Sequence, residues 1–86
     1  MWSIVFTKKA DKKFYKLERP IQNRIQKFID ERLLLNPHYH STLLVGEINF
    51  ARARVGDYRI IIEIKDSELI ILLIGIDHRK QIYTNL

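Results

Sequence analysis

Two stretches of this chain carry charged and aromatic side chains at spacings that suit chemistry: Ala51–Arg59, ARARVGDYR, and Asp77–Tyr83, DHRKQIY. Arg52 and Arg54 stand two apart, which is the period of a β-strand, so both guanidinium groups are expected on one face. Val55-Gly56-Asp57 reads as a tight hairpin turn, with Gly56 free to take a positive φ and Asp57 able to bond its own backbone. Arg59, on the returning strand, then comes back beside the other two. Three permanent cations on one sheet surface suit a phosphate-bearing partner, because each guanidinium is a planar donor fork. The same residues also read as a solvated basic edge that keeps sheets from associating. From the arginines alone, both readings stand.

The order of the pieces adds a resemblance. A basic helical N-terminal half, then xRxRVGDYR, an apolar strand, and HRKxxY near the end is similar to the RelE/ParE superfamily of toxins from toxin–antitoxin pairs. The similarity spans nearly the whole chain, residues 1–86. It implies a single small toxin domain with an acidic antitoxin as protein partner. The ending resembles the RelE branch, which cleaves messenger RNA on the ribosome. The ParE branch, which poisons DNA gyrase, shares the scaffold and is the alternative, as is a non-catalytic RNA- or ribosome-binding module. By this resemblance, Arg52, Arg54, Arg59, Arg79 and Tyr83 match positions where the family places its basic and aromatic functional residues. Two departures stand out. Relatives often carry Lys-x-Gly ahead of the arginine strand, where this chain has Leu44-Val45-Gly46, and some carry lysine in place of Arg52 and Arg54.

RNA cleavage without a metal uses the substrate's own 2′-hydroxyl to attack the adjacent phosphate. It needs a base for that proton, cations for the developing phosphorane charge, and an acid for the leaving 5′-oxygen. Arg52, Arg54 and Arg59 suit the cation role, and Arg79 either joins them or faces the leaving oxygen. Tyr83 offers an aromatic face on which a splayed base stacks, or else packs on the sheet edge. An arginine does not serve as the base, since it stays protonated at any working pH. The base role falls to His78, the residue type suited to proton transfer near neutrality, or to Glu63 if it reaches that face. His78 reads equally well as a strand-end histidine bonding a backbone carbonyl.

The rest of the chain has to position these groups. Eighty-six residues make one domain with a small core. Apolar residues make up 47%, an ordinary globular share. With no cysteine, disulfides and thiolate metal sites are excluded, and no cofactor is implied. The longest apolar run, Leu69–Ile76, falls well short of the roughly 18 residues that span a bilayer. MWSIVFTKK lacks the pattern of a secretory signal, so the expected place is the cytoplasm, away from membranes.

Net charge is +5. Residues 1–32 hold nine Lys/Arg against four Asp/Glu, nine less four leaving +5, and residues 33–86 hold six of each. The excess sits on the expected helices, where it draws in a phosphate backbone or an acidic protein, or simply keeps a helix solvated.

Trp2–Phe6 alternates as a strand, and Thr7 can cap a helix over Lys8–Leu17. Pro20 suits the first turn of a second helix whose stripe is Ile21, Ile25, Phe28, Ile29 and Leu33. Residues 36–47 read as a loop, in which His38 and His40 lack a third metal ligand. Three further strands are expected at Ile48–Val55, Tyr58–Lys65 and Leu69–Ile76, with a hairpin turn at Lys65–Glu68. The expected class is α+β: a β-α-α-β-β-β domain with a helical hairpin on one face of a four-stranded, mainly antiparallel sheet. The arginines are expected on the other, concave face.

Overall fold

Alternation of apolar residues along the strands decides which side of the sheet the helices cover. The computed structural model describes residues 1–44, 46 and 49–78. It begins with β1 (Ser3–Phe6), α1 (Lys8–Lys16) and α2 (Arg19–Phe28). Strands β2 (Thr42–Leu43), β3 (Phe50–Val55), β4 (Tyr58–Lys65) and β5 (Ile70–His78) follow. All five form one sheet in the order β1-β5-β4-β3-β2. The first strand runs parallel to β5, and every other neighbouring pair is antiparallel. The class is α+β, two helices packed on a mixed sheet.

Local chemistry accounts for the helices. Thr7 caps α1, its Oγ1 accepting the Ala10 amide at 3.1 Å, which satisfies one of the donors a helix start leaves open. Pro20 occupies the first turn of α2, where its missing N–H costs nothing. Past Phe28 the helix widens into a π-turn, Ile29–Leu33, in which the Leu34 amide reaches back to the Ile29 carbonyl at 2.9 Å. The widening keeps Ile25, Ile29 and Leu33 on one fully buried line.

That line meets the strand residues of one face, the alternation on β5 shifting by one residue between Leu73 and Ile76. Ala51, Ala53, Val55, Ile60, Ile62, Ile64, Ile71, Leu73 and Ile76 are all buried. Burial of each large member contributes about 1.5–3 kcal/mol. The residues between them, including Arg52, Arg54, Arg59 and Glu63, belong to the opposite face, which no helix among the described residues covers.

Two sequence expectations are corrected. Among the described residues the sheet has five strands, because Thr42–Leu43, expected within a loop, pairs with Arg52 and Ala51 at the edge. No apolar alternation marks so short a strand, so its pairing is purely tertiary. The last strand, expected over Leu69–Ile76, starts at Ile70 and runs on through Asp77 and His78, paired to Arg59 and Tyr58. The hairpin turn expected before it is present, with Lys65 paired to Ile70 and the connection taking a 3₁₀ turn, Asp66–Glu68, closed by Leu69 at φ 55°. Ile48, expected to start the second strand of the chain, lies outside the described residues.

Candidate functional site

The β3–β4 hairpin builds the site. Val55 and Tyr58 close it, leaving Gly56 and Asp57 as the two-residue loop. Gly56 has φ +61° and Asp57 is not among the positive-φ residues, the pattern of a type II′ hairpin, whose twist matches that of the strands. This register sets Arg54 directly opposite Arg59. On the far side of Arg59 stands Asp77 of β5. Arg54, Arg59 and Asp77 thus make one row across three strands.

A second row on the same face runs Thr42, Arg52, Ile61 and Gly75. A third runs Phe50, Glu63, Leu72 and Val5. The three arginines therefore come together as the sequence reading expected. They line, with Thr42 and Ala53, a shallow depression of about 200 Å³. Like charges directly opposite in a sheet cost a few tenths up to about 1 kcal/mol, so the Arg54–Arg59 pair works against folding. Arg54 turns its Nε toward the Gly56 carbonyl at 3.2 Å, which holds one edge of its guanidinium at the turn. Arg52 is exposed and ion-pairs with no carboxylate among the described residues.

Strand parity separates the other candidates. Glu63 is on the arginine face, in the row beyond Arg52. His78 is on the opposite, helix-covered face, in the row of Val55 and Tyr58, with its ring edge-on to Tyr58 at 4.9 Å between centroids. The structure therefore does not gather His78 with the arginines. Arg79 and Tyr83 lie outside the described residues, as do Val45 and Glu47. Thr42 and Asp77 join the arginine rows without having been singled out. The clue for Asp77 was its place one residue before His78 on a strand, but it required knowing where that strand ends.

Elsewhere, His38 bonds Asp66 through Nε2 and Oδ1 at 2.6 Å, tying the long loop to the turn before β5. Among the described residues, no three His, Asp or Glu side chains gather as a metal-ligand cluster.

A groove of about 480 Å³ lies between α1 and the end of β5, with Lys9, Lys12, Lys13 and Lys16 along its wall. Pairing of β1 with β5 ends at Phe6 and Leu73, and the groove follows the β5 edge beyond that point. Asp77 lies at its end, 3.9 Å from the Lys13 ammonium. No helix among the described residues is long and apolar enough to cross a membrane.

A family model described as the ParE toxin of the type II toxin–antitoxin system parDE matches residues 4–83. No curated protein matches by sequence. Among solved structures, the chain is similar to one in the RelB–RelE antitoxin–toxin complex of Methanococcus jannaschii. That chain is 30% identical, with 95% of this chain and 98% of that one covered and a TM-score of 0.73. It is also similar to one in the RelBE2 toxin–antitoxin complex of Mycobacterium tuberculosis, 26% identical over 91% of this chain and 98% of that one, TM-score 0.83. The isolated RelE toxin of E. coli has the same fold at 19% identity, TM-score 0.81, covering 99% of this chain and 94% of that one.

Proposed function

The chain belongs to the RelE/ParE superfamily of toxins from type II toxin–antitoxin pairs, and from that premise we propose that it is an endoribonuclease that cuts messenger RNA on the ribosome. The observation that carries this reading is the Arg54–Arg59 cross-strand pair with Arg52 in the adjoining row. A fold gains nothing from opposing two arginines, whereas a phosphorane needs cations held on more than one side. In the proposed reaction the 2′-hydroxyl attacks the neighbouring phosphorus and the 5′-oxygen leaves. Arg52, Arg54 and Arg59 hold the charge that builds on the phosphoryl oxygens. The proton acceptor on that face is a carboxylate, Glu63 or Asp77, since His78 is on the other face. Arg79 and Tyr83 keep the roles their motif suggests, leaving-group contact and base stacking. The ribosome supplies much of the substrate's geometry.

The protein partner is an acidic antitoxin. The solved relatives include RelE chains in complex with RelB, and the lysine-walled groove beside α1 offers matching charge.

One observation favours a second reading: the matching family model is that of the ParE toxin, which points to inhibition of DNA gyrase without nuclease action. Inducing the chain in cells and following both RNA ends and chromosome integrity separates the two. New RNA ends that require active translation support the endoribonuclease. Double-strand DNA breaks without new RNA ends overturn it in favour of the gyrase reading.

A further inference from the structure

The turn that sets the Arg54–Arg59 pair also receives a fourth cation, from a different layer of the fold. A Cβ placed on Gly56 would stand 3.1 Å from Arg24 Cζ, 3.1 Å from Nη1 and 3.3 Å from Nη2. Near-equal distances to three atoms of a planar group mean that the guanidinium lies face-on over Gly56. Its N–H edges are therefore directed sideways, away from the turn. Arg24 is exposed and makes no hydrogen bond or ion pair among the described residues. Asp57, the next residue along the turn, does not ion-pair with it.

The positive φ of Gly56 already explains a glycine there. It does not explain why an arginine from the middle of α2 is laid on that glycine without a partner. Arg54 touches the same residue from the uncovered face, donating to its carbonyl. Gly56 is therefore a joint between two guanidinium groups, and the cationic row continues over the rim of the sheet.

We propose that Arg24 is a second phosphate subsite, which binds the backbone of the same RNA strand one phosphate away from the one held by Arg54 and Arg59. The subsite positions RNA and does not touch the reacting atoms. A side chain at Gly56 would press against the guanidinium and shift it by a few tenths of an ångström. This inference rests on the RNA reading above and extends it.

The test is the salt dependence of binding of the full chain to a fluorescently labelled single-stranded RNA oligonucleotide. Loss of one phosphate contact lowers the slope of log affinity against log salt by about 0.7. Arg24→Ala is expected to show that drop with a several-fold loss of affinity, and Arg24→Lys to restore most of the slope. Gly56→Asn, whose Cβ crowds the guanidinium by a few tenths of an ångström and strains the turn at its positive φ, is expected to lower the slope by less than Arg24→Ala does. The double variant should add nothing to Arg24→Ala, as for two changes that act on one contact. Thermal melting checks that each variant folds, and if Gly56→Asn does not, the two Arg24 variants decide.

Arg59→Ala in parallel keeps the two claims apart. If Arg59→Ala abolishes cleavage while Arg24→Ala keeps the parent's slope and affinity, the subsite is refuted and the RNA reading stands. Parent binding that does not respond to salt overturns both.

Discussion

The arginine face and the lysine groove have the same sign of charge on different supports, and the supports explain what each is good for. Arg52, Arg54 and Arg59 stand on adjacent strands whose registers fix them in rows. Their forks are planar and need little ordering to meet phosphate oxygens. Lys9, Lys12, Lys13 and Lys16 stand on one helix, four residues apart in two pairs. Their charges sit on flexible stems that pay entropy for any fixed geometry. Both clusters cost stability, through like-charge pairs at cross-strand positions or at i,i+4 on the helix. A fixed array suits charge that develops at one point in a transition state. A mobile array suits an extended acidic surface.

The largest effect expected is on the arginine side. Arg59→Ala should lower single-turnover cleavage by about 10²–10³-fold, as for removal of one donor to a developing oxyanion, with melting temperature nearly unchanged. Ile60→Ala, one residue along and on the buried face, should do the reverse: a loss of about 2–5 kcal/mol in stability with activity kept in the protein that remains folded. If Arg59→Ala cuts at the parent's rate, the division between faces fails. A smaller effect is expected in the groove. Lys12→Glu with Lys16→Glu should weaken the cognate antitoxin's binding tenfold or more and flatten its salt dependence, while cleavage of ribosome-bound mRNA stays within a fewfold. Exposed charges are screened within about 8 Å at physiological salt, so a complex indifferent to both salt and these variants would mean an apolar interface elsewhere. The smallest effect belongs to His78→Gln. Cleavage should fall only a fewfold with the pH profile preserved, whereas Glu63→Gln or Asp77→Asn should slow it by more. A 10²–10⁴-fold loss at His78, the usual worth of a positioned base, would restore histidine to the mechanism.

Much of this was legible because local patterns carried it. Thr7, Pro20 and the stripe through Ile25, Ile29 and Leu33 announced the helices. The two-residue spacing of Arg52 and Arg54 with the Gly56 turn announced the arginine rows. What was not legible depended on pairing across the chain. Thr42–Leu43 is too short to show a period, and only its partner Arg52 makes it a strand. The face of His78 depended on where β5 stops and on the register shift near Ile61 and Ile62, which lets one residue of β5 slip and resets the alternation. Arg24 reads as one more solvated helix cation until the fold lays it on Gly56.

The most direct measurement of the central claim uses purified ribosomes programmed with a defined messenger RNA and mixed with the full chain in excess, and reads the chemistry of the new ends. Attack by the 2′-hydroxyl leaves a 2′,3′-cyclic phosphate on one fragment and a 5′-hydroxyl on the other. The account predicts those ends, at a rate that collapses in Arg59→Ala and survives in the Lys12→Glu, Lys16→Glu variant. Intact messenger RNA under these conditions, or cleavage that Arg59→Ala leaves untouched, would contradict it.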